Sequence, residues 1–242
     1  LKAFKPATVN ELSDDDLRRR HSACARLLEV FPTLPRRADL FFSDECAIYR
    51  SARARNVYFW SKQNPHYYEE LEHNPPHVMI WVAMSAKHLI GPYFFDGVVN
   101  QHTYLAMLQE FFVPELQRMN LLERSWFQQD GAPPHYAITV RQYLNEVFPN
   151  KWIGRGSVHL PAPLDWPPRS PDLTSCDNAL WGIIKAKVSQ QRYQTTEQLK
   201  DAVRTAFAAI NRNLLRKISH RSWRRIILCH ENNGGHTDLL DA

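Results

Sequence analysis

No stretch of this 242-residue chain is apolar for anything near the roughly eighteen residues that a membrane span needs, and no charged-then-apolar leader opens it. A soluble, intracellular protein is expected. The four cysteines, Cys24, Cys46, Cys176 and Cys229, lie far apart and form no C-x-x-C pair, which argues against a zinc site and against a disulfide-laced secreted scaffold. They read as buried or idle thiols. A Gly-rich phosphate loop and a G-x-S-x-G elbow are also missing, which weakens nucleotide-hydrolase and serine-hydrolase readings. There is no internal repeat and no low-complexity tract. The chain opens on Leu1, not Met, so further N-terminal domains of a longer protein are expected outside it.

What is present is ample apolar material, 44% of residues, for a sizeable core. Lysine and arginine number 30 against 25 acidic residues, a net charge of +5 that suits a polyanionic partner without identifying one.

Ser13 followed by Asp14, Asp15 and Asp16 reads as the capped, acidic first turn of a helix carrying Leu17, Cys24, Leu27, Leu28 and Phe31, ended by Pro32 and Pro35. The three adjacent aspartates complement the helix dipole; neighbours in sequence do not converge on one ion. Short β-type runs follow at Leu40–Phe42, Ala47–Tyr49, Val78–Met84 and Pro92–Phe95. A polar and aromatic ribbon separates them from about 50 to 76. Asn100 caps a helix with Tyr104, Leu105, Leu108, Phe111, Phe112 and Leu116 at helical spacing. A buried strand, Ser125–Gln129, ends at Asp130, and a helix with Ala137, Val140, Leu144 and Val147 on one face comes next. After a Pro-rich segment from Pro161 to Pro171, helices carry Leu180, Trp181, Ile184 and Val188, then Leu199, Val203, Ala206 and Ile210 behind a Thr195/Gln198 capping box. A basic, helical tail runs from Ser219 to His230. The expected fold is α/β, with a mixed sheet flanked by helices. Residues 1–35 read as an N-terminal linker and helix, and 36–242 as one domain with the ribbon as an insertion.

Three acids stand out. Asp44 follows the apolar run Leu40–Ser43, and Asp130 ends Trp126–Gln129. A carboxylate at the end of a buried strand is desolvated unless paired, and a divalent cation is one such partner; turn or cap duty is the commoner explanation for either alone. Positions 177, 180, 181, 184 and 188 form one helical face, so Asp177 points toward the core side, although its place near a helix start also suits the dipole. Asp172, between Pro171 and Leu173, is assigned to turn or capping work. Three carboxylates from separate elements can hold two divalent ions, Mg²⁺ or Mn²⁺, about 3.5–4 Å apart, which steadies the attacking and leaving oxygens of a phosphoryl transfer.

The runs Phe42-Ser43-Asp44-Glu45, Gln129-Asp130-Gly131-Ala132-Pro133-Pro134-His135 and Trp166-Pro167-Pro168-Arg169-Ser170-Pro171-Asp172-Leu173-Thr174-Ser175-Cys176-Asp177 together resemble the mariner superfamily of cut-and-paste DNA transposases. Trp81–Ser85, Gly91–Phe95 and Leu180-Trp181-Gly182 are similar too, and the likeness extends from about residue 10 to 230. It implies an RNase H-like fold in which Asp44, Asp130 and Asp177 are the catalytic, metal-holding triad. It implies two Mg²⁺ or Mn²⁺ ions, transposon-end and target DNA as partners, a homodimer of the full-length protein and a nuclear location. It also implies an N-terminal helix-turn-helix region, which these residues do not contain.

Two departures accompany the resemblance. Ser175 stands where family members usually have Pro, and remains able to cap the following helix. The stretch between the second and third acids is longer than in the best-known branches, with Val158 to Leu164 as the extra residues. His135 matches the histidine that closes the second motif and reads as either a neighbour of the scissile phosphate or a structural hydrogen-bonding group. Strand alternation turns Glu45 away from Asp44 and leaves it out of the metal shell. DNA-contact candidates are Arg53 and Arg55 in the ribbon, Arg155 and Arg169 around the Pro-rich loop, Lys185 and Lys187 beside the third acid, and the Arg216–Arg225 cluster. Trp60, Trp166 and Trp181 are candidates to stack on a base, with buried core the better reading for Trp181. The rival functions are an RNase H-like nuclease or resolvase that only hydrolyses, and a domesticated transposase kept as a DNA-binding module.

Overall fold

A computed structural model describes residues 9–33, 39–50, 61–64, 66 and 75–237. Most of the ribbon, including Arg53, Arg55 and Trp60, lies outside the described residues.

The first helix, α1 (Asp14–Val30), starts at a reciprocal capping box in which Ser13 accepts from the Asp16 N–H and the Asp16 side chain accepts from Ser13. The acidic run thus serves the helix end. Strands β1 (Leu40–Tyr49), β2 (His77–Met84) and β3 (Leu89–Phe95) form an antiparallel meander. Helices α2 (Gln101–Met107) and α3 (Val113–Arg118) are joined by a π-turn over Leu108–Phe112, in which the Val113 N–H reaches the Leu108 carbonyl. Pro114, which has no N–H to give the carbonyl four residues back, accounts for the widened turn that simple helical spacing does not foresee. Strand β4 (Trp126–Gln128), helices α4 (Pro133–Tyr136) and α5 (Ile138–Val147), and strands β5 (Trp152–Gly154) and β6 (Leu164–Asp165) follow. A second π-turn, Cys176–Leu180, opens α6 (Trp181–Val188), and α7 (Thr196–Ala208) and α8 (Arg212–Glu231) complete the order.

The six strands run β3-β2-β1-β4-β5-β6, with β4, β5 and β6 parallel to β1. Both faces are covered, and alternation along β1 divides its side chains between two cores. Phe42, Cys46 and Ile48 pack with α1, α6, α7 and α8, while Phe41 packs with Trp81, Tyr104, Phe112 and Phe127 under α2 to α5. Burying each such large side chain contributes about 1.5–3 kcal/mol.

Several expectations change here. Asp44 does not follow a strand: the two short runs are one ten-residue strand with Asp44 inside it, opposite Val82. The polar Ser-Asp-Glu interruption hid that continuity, because the ladder hydrogen bonds are indifferent to side-chain polarity. Strand β6 lies in the Pro-rich segment and β5 in a stretch given no element, since two or three residues are too few to show alternation. Trp166 is not available to a base; it is 4% exposed and meets Phe42 edge-on. Among the described residues no helix is long and apolar enough to cross a membrane.

Candidate active site

The sheet brings the first two acids together. In the parallel β1/β4 pair, Phe42 is level with Gln128, so Asp44 and Asp130 each come two positions further along neighbouring strands. Asp130 lies just past the last ladder bond, Gln129 N–H to the Ile153 carbonyl at 3.0 Å. Asp44 is turned toward the face of α6, where the Trp181 indole N–H donates to its Oδ2 at 2.7 Å.

The third acid arrives on the π-turn. Thr174 anchors it from both ends: its Oγ1 donates to Asp177 Oδ2 at 2.9 Å and accepts from the Asp177 N–H at 3.1 Å. Ser175, the expected cap, makes no capping bond; its hydroxyl donates instead to Ser222 on α8 at 3.0 Å. Asp177 is solvent-exposed, which corrects its expected core-side direction: the π-turn changes the angular step, so Leu180, Trp181, Ile184 and Val188 are buried while Asp177 stays at the rim. There its charge bears on the Asp44 carboxyl.

The electrostatics follow from that crowding. Burial, then the charges of Asp177 and Glu45, push the Asp44 carboxyl well above its ordinary value, only partly offset by Trp181. Asp177 is also raised, by desolvation against the relief from Thr174 and Asp44. Asp130 behaves oppositely. Burial alone would raise it, but His135 and the Ala132 N–H hold it below the usual carboxylate range. His135 Nδ1 lies 2.6 Å from Asp130 Oδ1, and Nε2 lies 3.3 Å from Glu45 Oε2. Although burial opposes its charge, the two acids push the 3%-exposed imidazole up to about 10. Its ring packs on Tyr104 with centroids 4.1 Å apart. Gln129 completes the support, accepting from the Tyr104 hydroxyl at 3.0 Å and donating to the His135 carbonyl at 2.9 Å.

Each acid therefore has one oxygen held by a protein donor, Oδ2 in Asp44 and Asp177 and Oδ1 in Asp130, and one to which no protein N–H or O–H donates among the described residues. All donors are hard carboxylate oxygens, the set that suits Mg²⁺ or Mn²⁺. Among the described residues no three acidic, histidine or cysteine side chains are close enough to enclose one ion. Asp44 feels the charge of Asp177, while Asp130 is held by His135. The charge of Asp177 pushing up the half-buried Asp44 carboxyl is what a cation beside them would relieve, so the residues fit the divalent ions expected.

The remaining candidates differ in setting. Arg155 is exposed, with its guanidinium 4.3 Å over the Tyr136 ring. Arg169 is paired with Asp16 at 2.8 Å and edges a cleft of about 320 Å³ that also takes in Asp177, Asn178 and Arg225. Lys185 is exposed and lies against Cys46 near Asp177, whereas Lys187 lines a different cleft with Gln190 and Asp201. Within the Arg216–Arg225 cluster, Arg225 is buried and donates to the Asp172 carbonyl at 3.2 Å. Asp172 itself is no turn residue: its carboxylate is buried and bidentate with the fully buried Arg20, at 2.8 and 2.7 Å. That partner lies 152 positions away, beyond the reach of any local reading.

Sequence reasoning missed three groups around the acids. The donor role of Trp181 was hidden because Trp at a buried helical position reads as core. Thr174 carried a usable signal, a Thr three residues before an acid at a helix start. Glu45 was correctly turned from Asp44, but the histidine waiting on that opposite face was not visible in one strand.

A family model described as DDE superfamily endonuclease matches residues 39–200. The transposable element Tc3 transposase of Caenorhabditis elegans is 29% identical over 190 residues, 77% of this chain and 54% of that protein. The chain thus spans about half the length of this curated relative. Among solved structures, the Mos1 transposase paired-end complex with left transposon end is similar with a TM-score of 0.81 at 22% identity, over 98% of this chain and 67% of that one. The mariner Mos1 paired end complex with Mg gives 0.82 at 20% identity, over 98% and 67%. The catalytic domain of Mos1 mariner transposase gives 0.71 at 21% identity, over 95% of this chain and 99% of that chain. The fold is the RNase H-like fold of those structures, as expected from the motifs, and this chain belongs to the DDE superfamily endonuclease family.

Proposed function

We propose that this chain is the catalytic core of a cut-and-paste DNA transposase in which Asp44, Asp130 and Asp177 hold two divalent ions. The observation that carries the reading is that the β1/β4 register sets Asp44 and Asp130 side by side while the π-turn carrying Asp177 opens the helix that gives Asp44 its Trp181 donor, with one oxygen of each acid undonated among the described residues. The Tc3 and Mos1 relatives support it, since they are transposases and Mos1 assemblies hold paired transposon ends, with Mg or Mn.

When bound, the ions supply a lowered water pKa and charge stabilisation for an in-line phosphoryl transfer. The chain's own residues do the positioning. Trp181 and Thr174 each fix one oxygen of an acid and leave the other without a protein donor among the described residues. Cationic His135, clamped by Glu45, sets the Asp130 carboxylate and tempers the negative charge that the triad gathers. Double-stranded DNA is the partner, first the transposon ends and then the target, bound by a homodimer of the full-length protein in the nucleus.

The test is metal-dependent nicking of a transposon-end duplex by the full-length protein, followed by joining of a pre-cut 3′-hydroxyl end to a target plasmid. Both activities are expected, and both vanish in Asp130→Ala. Nicking without joining leaves a hydrolysing nuclease; metal-independent DNA binding with neither activity leaves a domesticated binding module.

A further inference from the structure

Arg155 is held in place more firmly than an ordinary surface arginine. It follows β5 directly, at the start of the long loop to β6. That loop is pinned from beneath by the buried Arg141, which donates to the Tyr136 carbonyl at 2.9 Å, Ser157 Oγ at 2.8 Å and the Leu160 carbonyl at 2.9 Å. Tyr136 stacks against both guanidiniums, with Arg141 at 4.5 Å and Arg155 at 4.3 Å from its centroid. Arg141 is consumed by the scaffold. Arg155 is exposed and makes no ion pair among the described residues.

The stem of Arg155 runs along the backbone that carries the second acid. A methyl group at Gly131 would lie 3.3 Å from Arg155 Cδ and 3.4 Å from its Cβ, the nearer of them tighter than nine in ten such contacts. Gly131 follows Asp130 in the chain, and its φ is not in the left-handed region, so what a side chain there would meet is the Arg155 stem, which would have to give by a few tenths of an ångström, and not backbone strain. The charge of Arg155 is not used to compensate Asp130, whose cationic partner is His135. What remains is a guanidinium that is immobilised by stacking, open to solvent and adjacent to the site of phosphoryl transfer. Stacking leaves the N–H edge free to bind an anion in the ring plane, and fixing the side chain beforehand reduces the entropy lost on contact.

We infer that Arg155, seated on Tyr136 and steered by the missing side chain at Gly131, is a phosphate clamp for the DNA strand beside the scissile bond. This rests on the transposase reading and adds to it one substrate-contacting residue and the glycine that positions it. The loop is thereby given a role: Ser157 and Leu160, the groups Arg141 grips, hold the segment that leaves Arg155.

The experiment compares full-length wild type, Arg155→Ala, Arg155→Lys, Gly131→Ala and the Gly131→Ala/Arg155→Ala double variant. Binding to a transposon-end duplex is measured without divalent ion across a salt series, and single-turnover nicking in Mg²⁺. Arg155→Ala is expected to weaken binding about tenfold and to lower the magnitude of the log K against log salt slope by about one, the signature of one lost phosphate contact. Arg155→Lys keeps the slope but binds and nicks several-fold less well, because an ammonium does not stack in the same fixed pose. Gly131→Ala costs binding on its own and adds nothing in the Arg155→Ala background. Wild-type binding and nicking with an unchanged slope in Arg155→Ala overturns this inference alone. An equal Gly131→Ala cost in both backgrounds overturns the steering. A wild-type protein that neither binds nor nicks overturns the transposase reading beneath it.

Discussion

Trp181 donates its indole N–H to Asp44 Oδ2 at 2.7 Å across 137 positions of chain, and the π-turn that opens the same helix carries Asp177. One helix end thus both delivers an acid and orients its partner on β1. Trp181→Phe keeps an aromatic ring in the buried site but removes the donor. We expect apparent Mg²⁺ affinity in nicking to fall about 10- to 100-fold. The smaller ring and lost bond should cost only about 1–3 kcal/mol of fold stability. A metal titration beside a thermal melt checks this, and unchanged metal dependence would show that the indole is merely packing.

Glu45 sets His135 from the opposite face of the same strand, 3.3 Å from Nε2 while Nδ1 contacts Asp130. Glu45→Gln retains an acceptor of the same size, whereas Glu45→Ala removes both acceptor and charge. Nicking is expected to fall about tenfold or more in Glu45→Ala and several-fold less in Glu45→Gln, an order set by orientation of Asp130. Equal losses in the two variants would assign the effect to charge alone, and no loss in either would separate the histidine bridge from catalysis.

The Arg20–Asp172 pair ties α1 to the segment leading into the third acid. Arg20 also donates to the Gly234 carbonyl at 2.7 Å and Ser170 Oγ at 2.8 Å, and Asp172 accepts from the Thr237 hydroxyl at 3.0 Å. Removing one partner of a buried pair strands the other, so Arg20→Ala should destabilise the fold by about 3–5 kcal/mol, measured by denaturant titration. The pH dependence has a defined sign. Burial would raise the Asp172 carboxyl, but Arg20 and Thr237 hold it below its ordinary value. Its contribution is therefore complete above the unfolded value of about 3.9 and is lost as pH falls through and below it. Asp172→Asn should be weaker at neutral pH and show a shallower loss of stability on acidification; a curve parallel to wild type would exclude the linkage.

Much of this site was legible before any coordinates, and the reason is local. The second acid ends an apolar strand, and the third stands where an apolar helix begins, so chain order points to them, although the π-turn takes Asp177 off the buried face. The first acid was singled out as following a strand, whereas β1 continues through Asp44. What could not be read were the non-local partners. Asp172 looks like a turn residue until Arg20 is brought to it, and Trp181 looks like core until β1 passes beneath it. The π-turns also escaped, since a shift of one residue in hydrogen bonding leaves the apolar spacing almost intact.

The central claim is that three distant carboxylates share two divalent cations, and anomalous diffraction from crystals soaked in Mn²⁺ tests it most directly. The account predicts two peaks, one between Asp44 and Asp177 and one between Asp44 and Asp130, both lost in Asp44→Ala. Crystals of protein that nicks DNA in Mn²⁺, yet show manganese elsewhere and none against Asp44, would contradict it.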